Sequence, residues 1–238
     1  MRKILVTNDD GIHAGGLRRL AEAAREFGDV WVIAPAKQRS GAAHSISLKE
    51  PIDLYPHEFG VDGIQAFTCS GTPGDCVRVG SLAVMPEKPD VVLSGVNYGY
   101  NAATDLQYSA TAGAAIEGAF LGTRAIALSE DASECHEITD AYLTDILAEL
   151  IDVELGYGQI FNVNFPSCPA GAFRGILRDR KVSHAVIYSD TYPVIQELPH
   201  GGKRYMVHGR YTEESEEGTD FRAVIDGYIS IGVVTNIM

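Results

Sequence analysis

Two textures alternate along the first two thirds of this chain. Short, mainly apolar runs without alternation occupy residues 4–7, 30–34, 89–94, 125–129 and 160–165, and between them apolar positions recur every three or four residues. A short run of this kind predicts a strand covered on both faces, and the slower recurrence predicts an amphipathic helix. Leu17, Leu20, Ala21, Ala24 and Phe27 place a helix that ends at Gly28, and Leu143, Ile146, Leu147, Leu150 and Ile151 form the clearest helical stripe. Ala112, Ala115, Ile116, Ala119 and Phe120 mark a third helix, whose small residues predict close packing on a sheet. A fourth, over 72–84, is capped by Thr72 or Ser70 with Pro73 in its first turn. Shorter strands are expected over 45–54 and 64–69. Repeated strand–helix alternation with non-alternating strands implies an α/β fold with a mainly parallel sheet covered on both faces. Beyond Pro166 the helical period is lost. Residues 171–212 read as hairpins or an extended arm, 213–220 as an acidic loop, and 224–231 as a strand returning near the core.

At 238 residues, one large domain, or one with an appendage, is expected, and nothing approaches a membrane span. A net charge of −13 argues against a groove that tracks the phosphates of a nucleic-acid duplex. A small phosphorylated ligand remains compatible, provided a local cation or a cluster of N–H groups receives it. Cys69, Cys76, Cys135 and Cys168 show neither a CxxC pair nor zinc spacing, and read as reduced, mostly core residues. The basic start at Met1 precedes only four apolar residues, which is no signal peptide, so the cytoplasm is the expected compartment.

In an open parallel sheet, ligands bind beyond the C-terminal strand ends. Asn8-Asp9-Asp10-Gly11 follows the first strand, Lys37–Gly41 the second, and Gly95–Asn101 the strand over 89–94. Asn-Asp-Asp-Gly is ordinary turn chemistry, yet adjacent carboxylates repel and resist burial. Convergence of these segments supplies two carboxylates, a hydroxyl and amide oxygens, a donor set suited to Mg²⁺ or Mn²⁺ and unlike that of zinc. EF-hand, Gly-x-Gly-x-x-Gly, P-loop and Gly-x-Ser-x-Gly patterns are all missing. His13 and His44 lie in the candidate loops, where a histidine is ordinarily a solvated surface residue. Ser109-Ala110-Thr111 opens the small-residue helix and serves either as a plain N-cap or as an anion site, whereas Ser70–Cys76 reads as a cap.

Seven segments carry a resemblance: ILVTNDDG, APAKQRSGAAHSISL, GTPGDCV, PDVVLSGVNYGYN, YSATAGAAIEGAF, FNVNFP and GTDFRAVIDGYISI. In this order, over residues 4 to about 231, they resemble the SurE survival-protein family of metal-dependent nucleotidases. The resemblance implies a Rossmann-like three-layer α/β/α core over 1–169, an arm over 170–212 that engages a second subunit in a homodimer or homotetramer, and a return to the core over 213–238. It implies one divalent cation per subunit, Mg²⁺ or Mn²⁺, held by Asp9, Asp10, Ser40 and Asn97. The implied substrates are nucleoside 5′- and 3′-monophosphates, with short polyphosphate in some members. Asp9 and Asp10 are the expected catalytic residues, and Asn8, Gly41, Asn101, Ser109 and Thr111 the expected substrate contacts. Ala103 and Ala110 stand where the family pattern has glycine. Hydrolysis by metal-activated water is favoured over an aspartyl-phosphate on Asp9, because the two-aspartate pattern of the haloacid dehalogenases has an intervening residue. A nucleotide-binding or regulatory module without turnover is the alternative.

Overall fold

A computed structural model describes residues 1–236. The chain opens with β1 (Lys3–Thr7), α1 (Gly15–Ala24) and β2 (Asp29–Pro35), followed by β3 (Leu54–His57) and β4 (Gln65–Cys69). Next come α2 (Pro73–Val79), β5 (Val91–Tyr98), α3 (Ala110–Phe120), β6 (Arg124–Glu130), α4 (Glu137–Leu150) and β7 (Gln159–Phe165). Strands β4-β2-β1-β5-β6-β7 lie side by side and run parallel. The chain winds outward from β1 through β2 to β4, then returns to place β5 on the other side of β1. The β1/β5 crevice is therefore the topological switch point, where ligands bind in such sheets.

The strands are apolar on both faces because both are covered. Leu17, Leu20, Ala21 and Ala24 of α1 and Ile138, Leu143, Ile146 and Leu147 of α4 bury against Ile4, Val6, Val32 and Leu93. On the opposite face, Cys76 and Val77 of α2 and Ala112, Ala115 and Ile116 of α3 pack on Leu5, Ile33 and Val92. The small residues of α3 serve close approach as expected: a Cβ added at Gly118 would lie 2.8 Å from Val92 Cγ2. Thr72 caps α2 through a reciprocal capping box with Asp75, and the helix continues as a π turn over Gly80–Val84.

Beyond β7 lie β8 (Gly175–Leu177), β9 (Tyr188–Thr191), β10 (Val194–Glu197), β11 (Lys203–Tyr205) and β12 (His208–Tyr211). The pairs β9/β12 and β10/β11 are antiparallel and nested, so the expected arm is a two-stage hairpin. After α5 (Asp220–Ile225), β13 (Tyr228–Thr235) runs antiparallel to β7 and carries β8 on its outer edge.

Three expectations need correction. Residues 45–53 form no strand, although Ser45–Leu48 alternates like one. Their polar groups turn to α2, with Ser47 N and Oγ on Asp75 and Ser45 O accepting from Thr72 Oγ1, while Leu48 stays exposed. The segment 224–231 is split: α5, capped by Thr219, runs to Ile225, and the strand begins only at Tyr228, after Gly227 in a left-handed conformation. The expected return segment ends with residues 237 and 238, which lie outside the described residues. Finally, β5 does not stop at Ser94 but continues to Tyr98, with a register shift against β6 between Ser94 and Asn97.

Candidate metal centre

The loop after β2 and the end of β5 both bond to the turn that follows β1, at the C-terminal edge of the sheet. The Asn8–Gly11 turn is closed by its own first residue: Asn8 Oδ1 accepts from Gly11 N at 3.2 Å, and Asn8 Nδ2 donates to Gly11 O at 3.1 Å. Asn8 thus shapes the turn that presents both aspartates. Asp9 is 3% exposed, and its Oδ1 accepts from Thr111 Oγ1 of α3 at 2.7 Å. Asp10 is half-buried, with Oδ2 accepting from Tyr98 N of β5 at 3.0 Å. From the loop after β2, Arg39 N donates to Asp9 O at 2.7 Å. Gln38 Nε2 spans Asp10 Oδ1 and Ser40 Oγ at 3.3 and 3.1 Å. Asn97 lies in the extension of β5; its Nδ2 donates to Gly99 O at 2.7 Å, so its oxygen is the end left for a ligand.

The electrostatics call for a cation. Burial raises the Asp9 carboxyl to about 6, against the opposing Thr111 hydrogen bond, and the charge of Asp10 pushes the same way. Burial also raises Asp10, opposed by the Tyr98 N–H and Gln38, with a further upward push from Glu130. Glu130 is itself ion-paired with Arg19 of α1, which donates to both of its carboxylate oxygens. Among the described residues neither Asp9 nor Asp10 forms an ion pair, and no group of three or more His, Cys, Asp or Glu gathers anywhere to hold a metal, so the candidate site rests on two carboxylates with neutral oxygens. Two carboxylates, a hydroxyl and an amide oxygen fit a hard divalent cation. Because Asp9 must lose its proton to act as a ligand, affinity for such a cation is expected to fall by about tenfold per pH unit below pH 6 and to level off above it. Mn²⁺ titration calorimetry at pH 5.0 and 7.5 checks this, and equal affinities at the two values would refute it.

The remaining expected residues divide by what they already hold. Ser109 caps α3, its Oγ accepting from Ala112 N at 2.9 Å. Gly41 takes a left-handed φ of 75° at an exposed bend beside Ser40. Asn101 turns inward: its Nδ2 donates to Ser129 Oγ, its N–H donates to Asn164 Oδ1, and its carbonyl accepts from Asn162 and Asn164. These bonds make Asn101 the anchor of the loop behind Asn97. The asparagines of FNVNFP are therefore structural partners of the site, which their place on a separate strand concealed in the sequence. Ala103, standing where the family pattern has glycine, adopts a φ of 50°, the left-handed region glycine favours, whereas Ala110 is ordinary first-turn helix. Gln38 and the backbone of Tyr98 went unsuspected from sequence. His44, expected to be solvated, is half-buried and pairs with the buried Glu117.

The family model described as "Survival protein SurE" matches residues 4–187. A protein named 5′-nucleotidase SurE from Erythrobacter litoralis is 41% identical over 96% of this chain and 91% of its own length. A 5′/3′-nucleotidase SurE from Escherichia coli O127:H6 is 39% identical over 96% and 88%. The crystal structure of the SurE protein from Aquifex aeolicus superposes with a TM-score of 0.81 at 32% identity, covering 98% of this chain and 93% of that one.

Proposed function

The chain belongs to the SurE family, and on that footing we propose that it is a metal-dependent 5′-nucleotidase that also accepts 3′-monophosphates. The observation that carries the proposal is the crowding of Asp9 and Asp10 at the switch point with no cationic side-chain partner among the described residues; Gln38 links Asp10 to Ser40, and Asp10 accepts from Tyr98 N, the residue after Asn97, which supports Asp9, Asp10, Ser40 and Asn97 as the ligand set. One Mg²⁺ or Mn²⁺ per subunit is the cation this oxygen set suits. When bound, such an ion acidifies water and neutralises phosphoryl charge. Asp9 is held from behind by Thr111, and Asp10 is aimed by the Tyr98 N–H, so neither carboxylate has to reorganise. The first N–H groups of α3 and the backbone at Gly41 would receive phosphoryl oxygens. Burial of Asp9 and its bond to Thr111 suit a fixed ligand better than an attacking nucleophile, so direct attack by water is the mechanism proposed.

A regulatory module without turnover is not favoured, since the curated relatives are named nucleotidases. The arm exposes Tyr188, Tyr192, Val194, Ile195, Tyr205 and Val207. We read it as the surface on which a second copy docks, giving a homodimer or homotetramer of a chain that folds as one unit. Among the described residues no helix is long and apolar enough to cross a membrane; a cytoplasmic location is part of the same reading.

The decisive assay is phosphate release from AMP, GMP, their 3′ isomers and short polyphosphate. Turnover of the 5′-monophosphates is expected with Mn²⁺ or Mg²⁺ and should vanish with chelator. Nucleotide binding without phosphate release under any metal would overturn the enzyme reading.

A further inference from the structure

The loop that carries Ser40 is bent where few residues bend. Gly41 and Ala43 both take positive φ, at 75° and 50°. Glycine tolerates this, but a residue with a Cβ does so only when its surroundings hold it there. Three contacts, two with α3 and one with the residue just before its cap, do the holding. Ala43 N donates to Tyr108 O at 3.0 Å, just ahead of the helix cap. Gly113 lets the loop lie directly on the helix: a Cβ there would sit 2.8 Å from both Ala43 O and His44 Cα. Finally, His44 Nε2 reaches Glu117 Oε2 at 2.6 Å.

Glu117 is 4% exposed, and its other oxygen accepts from Arg78 Nη1 of α2 at 2.7 Å. It is thus a buried carboxylate with both oxygens bonded, lowered by His44 first and Arg78 second, which fixes its charge and its place. Both nitrogens of the imidazole are engaged. Asn236 Nδ2 donates to Nδ1 at 3.2 Å, which leaves Nε2 as the ring N–H donor to Glu117. A ring bonded on both sides has no free nitrogen for moving a proton in the reaction, so its contribution must be geometric.

We propose that His44 is a positioning residue for the metal centre: its bond to Glu117 latches the Ser40 loop onto α3, the same helix that orients Asp9 through Thr111. Ser40 Oγ and Asp9 Oδ1 are thereby referred to one rigid element, and the left-handed bend at Ala43 is the strain the latch restrains. This inference rests on the metal reading above and adds a residue to it.

The test is Mn²⁺ affinity by calorimetry, paired with amide hydrogen exchange over residues 39–44. His44→Ala should weaken Mn²⁺ binding by about tenfold, the scale of losing a group that orients a ligand, and should speed exchange in the loop. His44→Gln, whose terminal amide can still donate to Glu117, should stay close to wild type. Ala43→Gly in the His44→Ala background should restore most of the lost affinity, because the bend then needs no restraint; a lost packing contact would not be repaired this way. Gly113→Ala provides a route that leaves His44 intact and should also weaken binding, by pushing the loop off the helix. Wild-type affinity in His44→Ala, or no recovery with Ala43→Gly, overturns the latch. If the wild-type protein takes up no Mn²⁺, the metal reading falls, and unchanged loop exchange in His44→Ala would separately dispose of the latch.

Discussion

Asp10→Asn is expected to lower metal-dependent phosphate release by about a thousandfold while leaving the fold intact. Asparagine keeps an oxygen for the Tyr98 N–H that now donates to Asp10 at 3.0 Å. What disappears is a half-buried negative charge beside Asp9, and burial already pushes both carboxyls upward. Removing that charge relieves repulsion and desolvation, so the variant's melting temperature without added metal should equal or exceed wild type by about 2–4 °C. Added Mn²⁺ should raise the wild-type melting temperature and leave the variant's unchanged, since only a folded-state ligand stabilises. Retained turnover, or an equal Mn²⁺ shift in both proteins, would remove Asp10 from the ligand set.

The largest effect on folding should come from Gly95→Ala. Gly95 has a φ of 141°, and a Cβ there would lie 2.2 Å from Leu128 O of β6. Neither β5 nor β6 can yield, because both sit in the middle of the parallel sheet with buried partners on each face. Backbone strain and a clash with a fixed carbonyl together should cost roughly 4 kcal/mol or more. For a chain of this length that corresponds to a fall in melting temperature of about 8–16 °C, read by circular dichroism. A shift under 3 °C would show that this part of β5 is softer than its packing implies. The same residue matters to the site, because the register shift after Ser94 carries the extension that bears Asn97.

Legibility from sequence followed the physical signal. The strands over 4–7, 30–34, 64–69, 125–129 and 160–165 match β1, β2, β4, β6 and β7 to within one or two residues. A strand buried on both faces reads as a mainly apolar run without alternation, and little else of that length does. The parallel α/β class and the convergence at the sheet edge followed from those runs. Residues 45–53 misled because alternation also arises when polar groups face a helix rather than solvent, as Ser45 and Ser47 do. α5 was overlooked although Thr219 and Gly227 bracket it, since its few residues show less than two turns of periodicity. At the site, Asp9 and Asp10 stood out because adjacent carboxylates demand an explanation. Asn162, Asn164 and Glu117 did not, because a buried polar residue inside an apolar strand or helix acquires its meaning only from a partner far along the chain. In the sequence Asn101 reads as a substrate contact and His44 as a solvated residue, and the inward bonds of each depend on such partners.

One cation held by Asp9, Asp10, Ser40 and Asn97 is what the proposed chemistry requires. Crystals of the wild-type protein soaked in Mn²⁺ and measured for anomalous scattering test it most directly. A single strong peak per chain is expected in the β1/β5 crevice, within coordination distance of an oxygen of each of those four side chains. A peak bound by other residues, or none at a Mn²⁺ concentration that supports turnover, would contradict it.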